Sequence, residues 1–460
     1  MARAPSPQPS PRRGEGARSA AARLRPRALS FADDPCDDPC MTAPEPTRRR
    51  AAFAFIFVTV LIDILSFGII IPVLPHLLEK LTGSIAHAAI WAGVFSTMFA
   101  IIQFVSSPIQ GALSDRFGRR PVILISNLGL GVDFAMMALA PSLWLLFVGR
   151  AASGLTAASF STANAYIADV TPVEKRAGAF GLLGAAFGIG FVIGPALGGL
   201  LGGINIRLPF WVAAGLAVTN FCYGFFVLPE SLPRERRSPR FDLKSAHPIG
   251  ALALLRRHPM VLGLAMLVFL SQLAHYVLQS TFVLYTDFRY AWGTTEVGYA
   301  LALVGITSGF VQAWLTGRLA PVLGERRLLL MGLAFGALAL LLMGIAGTQW
   351  LVVAAIPAMA LWGLADPATQ SMMSRQIGPH EQGRLQGAIS SLTAFAGIFG
   401  PTVFTQVFAW SIHSPQYKLP GAAFLLAATI LAGCWVWAWR LTRHLPNRHE
   451  LVHLGIEPET

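Results

Sequence analysis

The chain has 460 residues, of which 54% are hydrophobic and only 13% are charged, and its mean hydropathy is +0.57. Soluble domains carry about 25% charged residues, so this composition excludes an ordinary soluble enzyme. The formal net charge of +12 would indicate nucleic-acid binding in a soluble protein. In a membrane protein, the basic residues must first be assigned to one side of the membrane.

Residues 1–50 have the composition of an N-terminal tail outside the membrane spans. Residues 1–50 are rich in Pro, Arg, Ser and Ala and lack apolar periodicity, so we expect them to be disordered. Cys36 and Cys40 lie among four aspartates, but zinc needs four convergent ligands, and we expect no metal site. Met41 precedes three arginines and an apolar span, which makes an over-long reading frame one explanation of residues 1–40. Residues 1–40 do not resemble a cleavable signal peptide, because they contain no apolar core.

Beyond this tail, twelve apolar stretches of roughly 20 residues predict membrane-spanning helices. The expected protein is therefore all-α and polytopic, with a six-helix bundle at 51–228, a cytoplasmic central loop at 229–258, a second six-helix bundle at 259–440 and a cytoplasmic tail at 441–460. The predicted spans are residues 52–78, 88–110, 121–140, 142–168, 177–201, 208–228, 259–286, 295–317, 328–347, 350–374, 385–411 and 419–440.

The distribution of basic residues predicts the orientation. With both termini on one side, the segments on that side contain 23 of the 35 Lys and Arg residues, and the loops on the other side contain four. By the positive-inside rule, both termini are then cytoplasmic. Because the basic excess is mostly topological, we expect a lipid bilayer around the protein and no nucleic-acid partner.

The most informative connector, GALSDRFGRRP, begins at Gly111 between the second and third spans. Gly111 is expected to let neighbouring helices approach closely, and Gly118 to supply the positive φ of a tight turn. Asp115 beside Arg116 and Arg119 predicts a switchable ion pair. A plain hairpin with topology charges is the alternative.

The two halves of the chain repeat each other. The spacing of Gly111 and Gly118 recurs at Gly317 and Gly324, with Pro321 where Asp115 would stand. Duplicated six-helix halves predict two pseudo-symmetric bundles that rock around a substrate held at their interface, near the middle of the membrane.

Away from the span ends, four charged residues fall inside predicted spans: Asp63, Asp133, Arg150 and Asp366. Each costs about 2.5–3.5 kcal/mol in lipid, so each suggests a site. Counting from the turn between the third and fourth spans places Asp133 and Arg150 at one depth, and Asp63 can lie in the same layer. A carboxylate that alternates between a paired and an unpaired environment alternately releases and binds a proton. We therefore predict that Asp63, Asp133 and Arg150 couple transport to protons, with a static Asp133–Arg150 pair as the alternative.

The fifth span contains a second motif, GFVIGPALGG. Glycines four apart form a flat face for another helix, and a proline bends the span. Small-residue packing alone would also explain the glycines. The residues of the motif are Gly190, Gly194, Pro195, Gly198 and Gly199.

These motifs resemble those of a known family. GALSDRFGRR matches the loop 2–3 signature of the major facilitator superfamily, and GFVIGPALGG resembles the helix 5 signature of its antiporters, which exporters carry. Further positions, from about residue 53 to about 411, are similar to the tetracycline efflux branch. They are Asp63 with Gly68, Gly149-Arg150 with Gly154, Ala165 to Asp169, Leu228 to Ser231, and Ser374 to Gln376 with Gln386-Gly387.

The resemblance implies the superfamily fold and a proton-coupled exporter of a small amphipathic compound, such as a tetracycline, in a bacterial-type inner membrane. It implies functional roles for Asp63, Asp115, Asp133, Arg119, Arg150 and Gln103. Two positions depart from that branch, because Ser308 and Gly336 replace a histidine and an aspartate, and Asp366 adds a charge.

Mid-span polar groups usually face a cavity, so Gln103, Gln272, Gln312 and Asp366 are predicted cargo contacts. No enzyme activity and no cofactor are expected, since the chain has no phosphate-binding loop of the Gly-x4-Gly-Lys type. We expect a monomer without an obligate protein partner. The alternatives are an uptake symporter, which the fifth-span motif disfavours, and a non-transporting scaffold or sensor, which would not need paired charges in mid-membrane.

Overall fold

The computed structural model describes residues 46–156, 159–171, 176–233, 237, 255, 258–377, 382–413 and 419–444. The predictions for the N-terminal tail up to residue 45, for most of the central loop and for the chain after residue 444 lie outside the described residues. Cys36 and Cys40 are among them.

The described residues form fifteen α-helices and contain no strand. A π-helical turn, Val311–Leu315, directly follows the helix that ends at Phe310. The helices are α1 Pro46–Ile70, α2 Leu74–Thr82, α3 Ile85–Phe117, α4 Arg119–Leu139, α5 Leu143–Thr156, α6 Ser159–Val170, α7 Arg176–Ile204, α8 Leu208–Val227, α9 Pro259–Tyr290, α10 Thr294–Phe310, α11 Thr316–Ile345, α12 Gln349–Trp362, α13 Ala365–Arg375, α14 Gln382–His413 and α15 Ala422–Thr442.

These helices account for the twelve predicted crossings. Within the described residues, ten helical segments are long and apolar enough to span a membrane. One of them, Thr294–Ile345, has 52 residues, which is enough for two crossings. The shorter α5 together with α6 supplies the fourth predicted span. The structure is thus an all-α membrane protein of two six-helix sets.

The connector between the second and third spans is much shorter than predicted. The helix α3 continues to Phe117 and α4 begins at Arg119, so Gly118 alone turns the chain, with φ +107°. Glycine reaches this region without a Cβ clash, as predicted. The expectation for Gly111 was wrong: it lies inside α3, and a Cβ at that position would meet nothing within 4 Å.

The predicted repeat between the halves is present in the backbone. Gly324 has φ +74° and ψ 162°, and Gly118 has φ +107° and ψ 162°. Gly324 is the single break inside α11, between the eighth and ninth spans. Each half therefore makes its central hairpin with one glycine.

The glycine motif of the fifth span forms the expected close packing. In α7, Gly194 lies against Gly68 of α1, where an added Cβ would be 2.8 Å from the Gly68 Cα. One turn later, an added Cβ on Gly198 would overlap the carbonyl oxygen of Ile69. Gly199 instead faces Gly298 of α10, in the other half. The helix α7 therefore packs tightly on both halves.

Contacts between the two halves are present toward one end of the bundles. We call the end that bears Arg119, Arg326 and Arg375 the basic face, and the other end the opposite face. Across the halves, the Thr97 hydroxyl lies 2.6 Å from that of Thr402 and donates to the Ile398 carbonyl at 2.7 Å. Both contacts lie in the part of α3 and α14 nearer the opposite face.

A second contact between the halves lies at the end of the bundles, at the opposite face. At the first residue of α10, the Thr294 hydroxyl donates to the Gly199 carbonyl of α7 at 3.2 Å. The two halves are therefore in contact at the opposite face.

The packing of α7 generates a test with a matched control in the same helix. Gly198→Ala should lower the melting temperature of the purified protein, because overpacking typically costs about 1–3 kcal/mol. Gly188→Ala should keep or raise it, since a Cβ there meets nothing within 4 Å and alanine favours a helix. Equal melting temperatures for the two variants would contradict close packing at Gly198.

Candidate transport site

The centre of the N-terminal half holds a buried ion pair. Nη2 of Arg150 on α5 lies 3.2 Å from Oδ2 of Asp133 on α4, and the Asp133 side chain is 0% exposed. The Arg150 guanidinium also lies 5.0 Å from the centroid of the Phe99 ring. Gly149 makes room for the carboxylate, because a Cβ there would be 2.9 Å from Asp133 Oδ1. The predicted equal depth of Asp133 and Arg150 agrees with this pairing.

Asp63 accepts hydrogen bonds from side-chain amides of two other helices. The Asn220 side-chain amide of α8 donates to Asp63 Oδ1 at 2.8 Å and to the Thr59 carbonyl at 2.9 Å. With its amide nitrogen turned toward the carboxylate, Asn127 of α4 donates to Asp63 at 3.1 Å. Neither asparagine was predicted as a site residue, since an uncharged amide in a span gives no charge signal.

The two aspartates therefore lie at different depths. Asn127, which contacts Asp63, precedes Asp133 by six residues on α4, a rise of about 9 Å. Asp63 thus contacts α4 on the basic-face side of Asp133, whereas the sequence allowed all three residues to lie in one layer. Depth counted from one helix end ignores tilt and side-chain direction, which only packing decides.

The four predicted cargo contacts have different surroundings. Gln103 and Gln272 are partly buried, and Gln312 is exposed in the π-helical turn. The Gln312 amide lies beside Gly363, where the tenth span breaks between α12 and α13. Asp366 lies in the first turn of α13, just after that break. The structure therefore brings Gln312 near the break that precedes Asp366.

At Gly336, where the tetracycline efflux branch has an aspartate, a neighbouring ring leaves little space for a side chain. A Cβ on Gly336 would lie 2.7 Å from the indole ring of Trp362, so a larger side chain cannot fit there without a shift. The Trp362 indole donates to the Ser271 hydroxyl at 3.1 Å, and its ring lies 5.1 Å from that of His275. An aromatic group from α12 thus occupies the space beside Gly336.

At the basic face, Arg119 joins two elements of the N-terminal half. Its Nη1 lies 2.6 Å from Asp115 Oδ1, and its Nε lies 3.1 Å from Asp169 Oδ2 at the end of α6. The predicted Asp115 ion pair is thus present with Arg119. Arg116 is exposed and lies over the Phe117 ring instead.

A further carboxylate, Glu230, was not predicted to have a role. It accepts the backbone N–H groups of Arg119 at 2.8 Å and Arg120 at 3.3 Å, at the start of α4. A carboxylate at a helix N-terminus is favoured by the helix dipole and satisfies free N–H groups. Glu230 therefore ties the start of the central loop to the Gly118 turn.

The C-terminal half repeats the basic-face pair with the charges reversed. Arg375 Nη2, at the end of α13, lies 3.0 Å from Glu325 Oε1, directly after Gly324. The same sequence offset relates Arg119 to Glu325 and Asp169 to Arg375. In both halves, an ion pair therefore joins the glycine hairpin to the end of the second span after it, which is the fourth span in one half and the tenth in the other.

Residues 56–401 match the family model of the Major Facilitator Superfamily. The chain belongs to this family. It is 38% identical to the tetracycline resistance protein, class C, of Escherichia coli over 387 residues, which are 84% of this chain and 96% of that protein. It is 28% identical to multidrug resistance protein 2 of Bacillus subtilis, covering 80% of this chain and 91% of that protein.

Solved structures agree on the fold. The human organic anion transporter MFSD10 aligns with a TM-score of 0.64 at 24% identity, over 85% of this chain and 99% of that one. The nucleoside transporter NupG aligns with a TM-score of 0.69 at 13% identity, over 85% of this chain and 99% of that one. The chain is therefore a membrane transporter of the tetracycline-resistance-like branch of the superfamily, and not an enzyme.

The Arg119 contacts generate a test of the basic face. Arg119→Ala should lower transport by about tenfold or more, because it removes charged hydrogen bonds worth about 1.5–3 kcal/mol to Asp115 and Asp169. Asp169→Asn should have an effect of the same kind. Arg440→Ala, an exposed arginine near the end of the last span, is the control and should transport normally. If Arg119→Ala transports as well as Arg440→Ala, with equal amounts of the two variants in the membrane, the basic residues of the connector serve only to orient the protein.

Proposed function

We propose that this chain exports a small amphipathic drug in exchange for protons, with Asp63, Asp133 and Arg150 as the coupling residues. The observation that carries the proposal is the pair of unlike carboxylate environments in one bundle. Asp133 faces a guanidinium at 3.2 Å, whereas Asp63 accepts a hydrogen bond from a neutral amide at 2.8 Å.

The proton is assigned to Asp63. The Arg150 guanidinium at 3.2 Å compensates the Asp133 carboxylate directly. The Asn220 amide can donate to Asp63 whether or not this carboxyl group carries a proton, because the group keeps an accepting oxygen in both states. When the proton is absent, the Asn220 and Asn127 amides orient the carboxylate.

Rocking of the two bundles supplies the transport step. Opening of the opposite face separates Thr97 from Thr402 and Thr294 from Gly199, while the basic face closes. The hairpin pairs Arg119–Asp169 and Glu325–Arg375 keep each half rigid during this change. Charge-assisted hydrogen bonds are suited to this, because they are both strong and directional.

The direction of transport and the cargo are inferred from relatives. The helix 5 motif and the resistance-protein relatives favour export over uptake, and the class C relative makes a tetracycline one candidate cargo. A second candidate is a cationic amphipathic drug. It is favoured by Asp366, because the structure pairs no basic side chain of the described residues with this carboxylate.

We further propose a bacterial-type inner membrane as the location, with the basic face and both termini cytoplasmic. Lipid surrounds the bundles, and the proton gradient supplies the energy without a cofactor. The chain is proposed to act as a monomer.

Proton coupling can be tested in inside-out vesicles. Asp63→Asn should abolish drug accumulation driven by a pH gradient but keep drug exchange down its own gradient, because the amide cannot carry a proton. Arg150→Ala should damage both activities, since it leaves Asp133 buried without a counter-charge. Cys222→Ser, at an exposed position on α8, serves as the control. Full gradient-driven accumulation by Asp63→Asn would move the proton to another carboxylate.

The cargo can be tested by expression in a drug-sensitive host. We expect weak tetracycline resistance, because Ser308 and Gly336 stand where that branch has a histidine and an aspartate. We expect stronger resistance to a cationic dye such as ethidium. Asp366→Asn should lower dye export about tenfold, because this is roughly the effect of losing the free energy of one charged hydrogen bond. The same substitution should leave tetracycline export unchanged. Strong tetracycline resistance that Asp366→Asn does not alter would make tetracycline the cargo and Asp366 a structural residue.

A further inference from the structure

We propose that His76, Glu79 and Asp287 form a divalent transition-metal site that joins the two halves at the opposite face. His76 and Glu79 lie on α2, in the first span, and Asp287 lies near the end of α9, in the seventh span. The sequence predicted no metal site, because these residues are distant in the chain and two of them stand at predicted span ends.

The donor atoms are arranged as a metal requires. His76 Nδ1 lies 3.3 Å from Asp287 Oδ2 and 3.9 Å from Glu79 Oε2. The three donor atoms all lie within 4.8 Å of one another. Tetrahedral zinc with bonds of about 2.0–2.2 Å separates its ligand atoms by about 3.4 Å. Small rotamer changes would therefore close the set around one ion.

The charge of the cluster favours a cation. The two carboxylates are only partly exposed, at 34% for Glu79 and 20% for Asp287, and His76 is 12% exposed. Among the described contacts, no lysine or arginine forms an ion pair with either carboxylate. Arg289, close to Asp287, donates to the Ala346 carbonyl at 2.6 Å instead. A divalent ion would neutralise both carboxylates, and a proton held between them is the competing occupant.

The backbone holds two of the ligands in place. His76 and Glu79 are three residues apart on α2 and so share one side of the helix. The helix ends at Gly83, whose φ is +70° and whose N–H donates to the Glu79 carbonyl at 2.8 Å. The first half thus supplies a rigid pair of ligands, and the other half supplies the third.

This placement makes metal binding depend on conformation. The three ligands meet only while the opposite face is closed, because rocking moves α2 and α9 apart with their bundles. A ligand shifts a conformational equilibrium toward the state that it binds better. Bound metal should therefore hold this face closed and slow the transport cycle. The inference needs only the rocking of the two halves, and metal binding can be measured without any cargo.

The test uses the purified full chain with its four cysteines replaced by serine, so that Cys36 and Cys40 cannot bind the metal. Zinc affinity is measured by calorimetry. His76→Ala should bind zinc at least tenfold more weakly at this site, and Asp287→Asn, which keeps the side-chain shape, should show a similar loss. His87→Ala, an exposed histidine near the start of α3, is the matched control and should bind as the parent does. Equal affinities in the His76, Asp287 and His87 variants would overturn the proposal.

A second readout follows the conformation. In the same background, Thr97→Cys places a thiol at the interhalf contact, where a membrane-impermeant maleimide reaches it when the opposite face opens. Zinc should slow this labelling severalfold, and His76→Ala added to the same chain should remove the effect. Labelling that zinc does not slow, or slows equally with His76→Ala, would show that the cluster is not a metal latch. Failure of drug export with intact zinc-dependent labelling would count against the proposed function only.

Discussion

The cost of an uncompensated charge in a low-dielectric layer determines how this transporter is built. Asp133 is fully buried, and the Arg150 guanidinium that lies 3.2 Å from it comes from the adjacent span. Removal of either partner leaves a buried charge, which is far more costly than the net gain from the pair. The pair therefore fixes how α4 and α5 lie against each other, and Gly149 provides the space that this arrangement needs.

Asp63, the other carboxylate of this bundle, has different neighbours from Asp133. This difference is the basis of the proposed proton exchange. Asp63 has amide neighbours on two other spans. In the proposed cycle, Asp133 stays ionised while Asp63 exchanges a proton. Because Asn220 lies on α8 and Asn127 on α4, a proton on Asp63 would influence contacts among three spans of the same bundle.

Pseudo-symmetry extends from the backbone to the electrostatics. Gly118 and Gly324 make equivalent one-residue turns, and each is followed by a residue whose ion pair reaches the end of a later span in the same half. The signs are reversed, with Arg119–Asp169 in one half and Glu325–Arg375 in the other. What is repeated is therefore the mechanical link, since a salt bridge of either polarity joins the same two elements.

The sequence by itself determined the twelve spans, the turn at Gly118, the close-packed face of α7 and the pairing of Asp133 with Arg150. All of these follow from local signals: apolar length, a glycine with positive φ, glycines four apart, or charges counted from a nearby turn. Only the tertiary structure decided the depth of Asp63, the role of Glu230, the open surroundings of Gly111 and the meeting of His76 with Asp287. Those features depend on how helices tilt and which distant segments touch, and neither is encoded in the spacing of residues along one helix.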